Sequence, residues 1–496
     1  MDFLDPKKRR SYNIRLFIGF ILISIAIVLA TTILALITAG YTINRKTGQV
    51  IQNSLVFINS QPVSASIYIN GSLSGTTNAR FVLGSGNYDV KLQQAGYHTW
   101  SNHIALYGGQ VEQLTYPFLF PNTPLKSTIS TLSSAPSVFS YTPDRHWLLV
   151  SVPGQVGSFY VIDLTNTKTP ITQITIPADV LGSKPGTNNL TAVQWSTDNL
   201  HLLLRDDYQG GSQYIMLNRT DPTTSFNLEQ LFSSATFTSV KMDNQAYDKL
   251  YLYDQTSLGL SLADVTAKTV TPVLSSVLAF SPYSTNQILY TTPDAKQSNM
   301  VDAELYNSDV NKSYTLRELP TGTSYELNMA SYNSSLYAVV GSSGSNYAYV
   351  YMNPLDQFSA QPNTQPLPYT LIVVNGSPEN VTFSNNARFI ALQSGSQFGV
   401  YDIQYDTHYR YDTTLAFAPN QLALWMDGNR LEANINGKLT IWDFDGTNMV
   451  SLTPASTAND SAFNQNYSAV YTAVPVATPG STAVDVVRNS LIANKP

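Results

Sequence analysis

From Leu16 to Ile43 the chain contains no charged residue, and beyond residue 50 it changes character, with short apolar runs broken repeatedly by turn residues. At about 1.5 Å per residue the first run would make a helix of about 42 Å, against a hydrocarbon core of about 30 Å. A cleavable signal peptide needs only about 7–15 apolar residues, so the pattern predicts an uncleaved transmembrane helix over 16–43 behind a tail over 1–15. Lys7, Lys8, Arg9, Arg10 and Arg15 precede the run, and only Arg45 and Lys46 follow it closely. The positive-inside bias therefore predicts a single-pass protein anchored in the bilayer through Leu16 to Ile43, with a cytoplasmic N-terminus and its bulk extracytoplasmic.

From Leu55 to Leu114, β-branched and aromatic runs such as Leu55-Val56-Phe57-Ile58 and Tyr88-Asp89-Val90-Lys91-Leu92 alternate with turn clusters. Asn70-Gly71 stands between two such runs and suits the positive φ angles of a tight hairpin. These signals predict a small β-sandwich over 50–116. The Pro-rich stretch 117–125 reads as an extended linker, since each proline restricts its own φ and its predecessor.

The sandwich region resembles the PEGA domain of prokaryotic envelope proteins. The residues that carry the resemblance are Ser60-Gln61-Pro62-Val63-Ser64-Ala65, Ile67-Tyr68-Ile69-Asn70-Gly71, Gly75-Thr76-Thr77, Gly86-Asn87-Tyr88-Asp89-Val90 and Gly96-Tyr97. The name-giving Glu and Gly are Val63 and Ser64 in this chain. The resemblance implies an extracytoplasmic, non-catalytic β module near the membrane or wall.

Over 126–490 a turn phrase recurs, an aromatic followed by Ser or Thr and then Pro, Asp or Asn. It reads Tyr141-Thr142-Pro143-Asp144-Arg145, Trp195-Ser196-Thr197-Asp198-Asn199, Phe280-Ser281-Pro282 and Phe383-Ser384-Asn385-Asn386-Ala387, with weaker versions at Met242, Ser331, Trp425 and Phe463. Starts about 40–54 residues apart match the period of propeller blades. Third strands ending in Asp, such as Leu439-Thr440-Ile441-Trp442-Asp443, complete a resemblance to WD40-like propellers of seven or eight blades. Lys126 to Thr131 is placed to supply the last blade's missing fourth strand, which would close the ring and protect its edges. The fold class is thus an all-β ectodomain, a sandwich plus a propeller, behind one transmembrane helix.

Composition narrows the chemistry. Only 12% of residues are charged and none is cysteine, which excludes disulfides, thiolate metal sites and Cys nucleophiles. Of 27 bases and 33 acids, five bases and two acids (Asp2, Asp5) stay inside, leaving 22 against 31 and an exterior net charge of −9. Such an exterior disfavours nucleic acid, whose phosphates need Lys and Arg. The five histidines form no metal-like pair, no nucleophile elbow occurs, and Asp443-Phe444-Asp445-Gly446-Thr447-Asn448 reads as a turn rather than a calcium loop. No catalytic set, metal site or cofactor is predicted.

Tyrosine is the unusual resource, with 31 copies. Tyr347, Tyr349 and Tyr351 alternate along one strand, and Tyr405, Tyr409 and Tyr411 cluster beside a loop. Flat rings with polar tips suit sugar stacking or a protein partner, and equally suit packing between blades. The sequence therefore predicts a membrane-anchored envelope scaffold whose propeller binds a protein or a cell-wall glycan. Two alternatives stand beside it: a propeller enzyme acting on glycans or lactones, whose carboxylates would converge from distant blades, and a structural or sensor component.

Overall fold

A computed structural model describes residues 6–43, 50–166, 168–361, 364–419 and 421–493. Asp2, Asp5, Arg45 and Lys46, used above to count charge across the membrane, lie outside the described residues. The chain divides into two compact units between Phe120 and Pro121.

The first unit opens with the helix Pro6–Thr38. Its stretch Arg10–Thr38, 29 residues long with none of its apolar window buried against protein, is long and apolar enough to cross a membrane. Thr31 and Thr32 return their hydroxyls to the carbonyls of Ile27 and Val28 at 2.8 Å, which spares an apolar surrounding two bare donors. The helix starts earlier and ends earlier than the 16–43 expected. Pro6 suits a first helical position, where no N–H is required, and Gly40 at φ +84° turns the chain out. Tyr41–Ile43, expected inside the membrane span, is instead a strand antiparallel to Val50–Gln52.

Two four-stranded sheets follow. Val50–Ile58 is central in one, flanked by Ala79–Gly84 and by the parallel strand Val111–Leu114; Ser66–Ile69 and Gly86–Gln93 are central in the other. The faces between them bury Val56, Ile58, Ile67, Val90, Leu92 and Trp100, each large side chain contributing about 1.5–3 kcal/mol. Asn70 and Gly71 both have positive φ, as the hairpin requires. Ser64 adopts φ +70° at the position where the PEGA pattern has its glycine, so the turn keeps its shape without that residue.

The stretch read as a linker over 117–125 is divided. Phe118, Leu119 and Phe120 are buried in the first unit, where the Leu119 N–H donates to the Gln61 carbonyl at 2.8 Å and the His98 N–H to that of Phe120 at 2.8 Å. Prolines keep this segment extended, but its apolar side chains drive it onto the sandwich.

The second unit is eight four-stranded antiparallel sheets, which decides the blade number in favour of eight. In chain order the blades begin with the strands Phe139–Tyr141, Asn189–Trp195, Ser239–Asp243, Ala279–Tyr283, Tyr325–Tyr332, Asn380–Phe383, Leu424–Trp425 and Ala462–Phe463. In blade 8 the outer strand is Lys126–Leu132, paired antiparallel with Val484–Ser490, so the first strand of the unit closes the last blade.

The recurring phrase is the turn after each first strand. In blade 1 the Thr142 N–H donates to the Trp147 carbonyl, the Trp147 N–H donates to the Thr142 hydroxyl, and Asp144 accepts from the His146 N–H. Blade 6 repeats these bonds with Ser384, Phe389 and Asn386. Seven turns are closed by a non-glycine residue at φ +52° to +65°: Arg145, Asn199, Gln245, Ser284, Ser334, Ala387 and Tyr467. Blade 7 closes one residue sooner, with the Met426 N–H on the Arg430 carbonyl.

A second device also recurs. Four blades place a basic side chain near the start of the second strand against the carboxylate ending the third: His146 and Asp163, Lys249 and Asp264, Arg388 and Asp402, Arg430 and Asp443.

Candidate ligand recess

The second strands of several blades are buried and apolar at their centres, as in Trp147–Ser151 and Phe389–Ser394. Blade 7 departs from this pattern, as blade 2 does at the buried Asp206. Its second strand, Arg430–Ile435, is buried throughout yet carries Arg430, Glu432 and Asn434. Burying such groups costs about 1–3 kcal/mol each unless they are hydrogen-bonded, so their environment is informative.

Around Glu432 and Asn434 lies a recess of about 460 Å³ between blades 7 and 8, lined on the polar side by Gln421, Glu432, Asn434, Asn459, Asp460 and Ser461. A belt of amides fixes its wall. Gln393 of blade 6 accepts from the Ala423 N–H at 2.8 Å and donates to the Gln421 carbonyl at 3.3 Å. Gln421 donates to the Asn434 carbonyl, and Asn434 donates to that of Asn459, both at 2.5 Å. Ser461 donates to the Asn434 side chain at 2.8 Å, and Asn459 donates to the Pro136 carbonyl at 3.0 Å. Two acceptors are left over: Glu432 Oε1 and Asn459 Oδ1 are buried and make no hydrogen bond among the described residues.

Electrostatics follow from this burial. Desolvation, the charge of Asp460 and, more weakly, that of Asp427 raise the Glu432 carboxyl well above its ordinary range, while Arg145 opposes them. Asp460 is also raised by desolvation. Arg145 is partly engaged: its Nη2 donates to the Met426 carbonyl at 2.5 Å and its guanidinium lies 4.7 Å from the ring centre of Tyr467, while Nη1 has no partner among the described residues. Nearby, burial and the charge of Glu432 push the Tyr141 hydroxyl up to about 12.

A second concavity, about 740 Å³, runs along the first strands of blades 2 to 5 past Gln194, Lys241, Tyr283 and Asn328. Desolvation lowers the pKa of Lys241, whose ammonium donates to the Phe280 carbonyl at 2.8 Å. Its polar groups are largely engaged: Gln194 accepts from the Met242 N–H and Asn328 donates to the Val381 carbonyl.

The six tyrosines lie on two blades. Tyr347, Tyr349 and Tyr351 share the face of Tyr347–Met352 that meets blade 4, where Tyr351 is fully buried with its hydroxyl on the Leu316 carbonyl and Arg317 lies 4.4 Å from the Tyr349 ring centre. Tyr409 meets Phe444 edge-on at 5.2 Å, and Tyr411 accepts from the Trp442 indole at 3.2 Å, so both pack toward blade 7. Tyr405 is the exposed member, with Arg388 4.9 Å from its ring centre. None of the six lines either concavity.

Among the histidines, His103 meets Asp89 at 2.7 Å, His201 meets Asp198 at 2.6 Å, and His408 bonds Thr370 at 2.9 Å. Asp443 to Asn448 forms a strand-connecting turn, with Asp445 accepting from the Thr447 N–H and hydroxyl. Asp294, Asp302 and Glu318 of blade 4 bring carboxylate oxygens within 4.8 Å of one another, spacing that could hold a cation. Sequence reasoning missed that group because two strands and the loop before them supply it. It also missed Glu432, whose signal was an acid amid the apolar residues of Leu431-Glu432-Ala433.

Residues 53–119 match the family model described as PEGA domain. No curated protein matches the chain. Among solved structures, the Dos1 propeller is 14% identical with a TM-score of 0.44, covering 75% of this chain and 95% of its own. The β-propeller domain of Cps50 (Swd1) from Myceliophteria thermophila is 10% identical, with a TM-score of 0.39 and coverages of 73% and 99%. An oligogalacturonate lyase in complex with manganese is 8% identical, with a TM-score of 0.37 and coverages of 75% and 98%. At these identities the likeness concerns fold alone, and the eight sheets establish that fold in their own right. The chain thus joins an N-terminal apolar helix and a PEGA domain over residues 53–119 to an eight-bladed β-propeller.

Proposed function

We propose that this is a single-pass, extracytoplasmic binding protein of a prokaryotic envelope, held in the membrane by its N-terminal helix and recognising a protein or glycan component through the propeller. The observation that carries the reading is the recess between blades 7 and 8. It is preformed, walled by a bonded amide belt, and two of its lining side chains carry buried oxygens without a partner among the described residues. Recesses of about 300–1,000 Å³ with a few convergent polar groups are the usual form of a small-ligand or side-chain site.

The test is site-specific photocrosslinking in intact cells. A crosslinker replacing Leu422, exposed on the recess lining, should capture an envelope component, and one replacing Val310, exposed on blade 4, should not. Equal capture at both positions, or none at Leu422, would overturn the reading. External protease should degrade 130–490 while the membrane stays sealed; protection of that region would overturn the orientation.

One observation favours an enzyme. Glu432 and Asp460, from adjacent blades, line a single recess and both have raised pKa values, and glycoside hydrolysis commonly uses a pair of carboxyl groups. Release of reducing ends from envelope glycan, lost in Glu432→Gln, would select that reading over simple binding.

A further inference from the structure

The charge and hydrogen-bonding character of the recess go further than its shape. Among the described residues its lining holds two carboxyl groups and no basic residue. The ion pairs of the propeller engage His146, His201, Arg205, Lys249, Arg388 and Arg430, and none includes Glu432 among the described residues. Glu432 is 2% exposed and Asn459 9%, and the unpartnered oxygen of each belongs to a side chain that lines the recess. The missing partner of Asn459 Oδ1 is therefore a hydrogen-bond donor, and so is that of Glu432 once its carboxyl is ionised. The guanidinium of Arg145, whose charge acts on Glu432, donates one nitrogen to the Met426 carbonyl, and its Nη1 is itself buried without a partner among the described residues.

We propose that the recess takes a primary ammonium group, carried by an amino sugar or by an amino acid, among Glu432, Asp460 and the side-chain carbonyl of Asn459. This inference rests on the binding reading and names the ligand chemistry of the same site. An ammonium supplies three donors and a positive charge, matching the carboxyls and the amide oxygen together. A bare metal ion fits less well, because about 460 Å³ greatly exceeds an ion and only two carboxylates are present, whereas Gln421, Thr457 and Ser461 remain to meet a polar ligand body.

Binding of a cation favours the ionised form of Glu432, so ligand entry is coupled to loss of the proton that burial favours there. The charged and titratable groups that face this carboxyl are Asp460 of blade 8, Arg145 and Tyr141 of blade 1, and Asp427 of its own blade. Asp460 and Asp427 oppose ionisation without the ligand, and Arg145 supports it.

The experiment is isothermal titration of the full-length, detergent-solubilised chain with D-glucosamine, L-lysine, D-glucose, N-acetyl-D-glucosamine and calcium. At least one amine should bind tenfold or more tightly than both neutral sugars, with a heat that varies with the ionisation enthalpy of the buffer because a proton is released. Glu432→Gln should weaken that binding at least tenfold and abolish the buffer dependence, with its thermal melt confirming the fold. Preference for glucosamine assigns the sugar source, and preference for lysine the amino-acid source. Equal binding of neutral sugars, no binding of either amine, displacement of the amine by calcium, or unchanged binding in Glu432→Gln would each overturn the inference. Capture at Leu422 without amine binding would defeat the ammonium assignment alone; loss of both would defeat the binding reading as well.

Discussion

The seam between blades 4 and 5 and the seam between blades 7 and 8 follow one four-stranded plan with different fillings. At the first, Leu289, Leu305 and Leu316 meet Met329, Val340 and Tyr351 in a continuous apolar cluster. At the second, Glu432 and Asn434 face Asn459 and Ser461, and Thr453 donates to the buried Asn489 at 2.6 Å. An apolar seam contributes stability in proportion to area removed from water. A buried polar seam contributes little net stability but fixes side chains in position, which is what a recognition site needs. The repeat thus builds the ring, and departures from the repeat build the site.

The largest effect should come from the apolar seam. Leu305→Ala removes a fully buried side chain and should cost about 2–5 kcal/mol in urea unfolding of the full-length chain. A cost below about 1 kcal/mol would mean that the seam is not closely packed. Next is Asn489→Ala, which strands the hydroxyls of Thr453 and Thr472 and should cost about 1–3 kcal/mol. Combining the two should be additive, because they lie on different seams.

Glu432→Gln should behave in the opposite way, leaving stability at neutral pH unchanged or raised. The sign follows from linkage. With its folded pKa raised above 4.5, Glu432 binds its proton more tightly when folded, so its contribution is fully present below about pH 4.5 and is lost as pH rises through the folded value. The melting temperature of Glu432→Gln minus that of the unchanged protein should be near zero at pH 4 and grow toward pH 8. A flat difference would mean that the carboxyl is not desolvated as described.

The smallest effect is expected at Tyr405. Replacing it with Ala loses a partly exposed stacking contact with Arg388, about 0.5–1 kcal/mol, and should leave capture through Leu422 intact. Loss of capture would move recognition from the blade 7–8 seam to the tyrosine cluster.

The parts legible in the sequence were those with local causes. A charge-free run of apolar residues defines a membrane-length helix, Asn70-Gly71 its hairpin, and the phrase at Tyr141 or Phe383 its turn, because neighbouring residues make the deciding bonds. Closure by Lys126–Leu132 was legible as well, since the last blade lacked a strand. The helix end at Gly40 was missed because Tyr41 to Ile43 is as free of charge as the span before it, and only pairing with Val50–Gln52 separates them. Docking of Phe118 to Phe120 was hidden by their prolines. The recess escaped notice for a different reason. Glu432, Asn459 and Asp460 come from two blades, and a tally of residue types drew attention to abundant tyrosine instead.

Hydrogen–deuterium exchange of the full-length chain with and without D-glucosamine tests most directly the claim that recognition sits at the polar seam. Slowed exchange confined to residues 421–435 and 455–462, and absent in Glu432→Gln, is the result predicted. Protection centred on 239–245 and 280–284, along the first strands of blades 3 and 4, would contradict it.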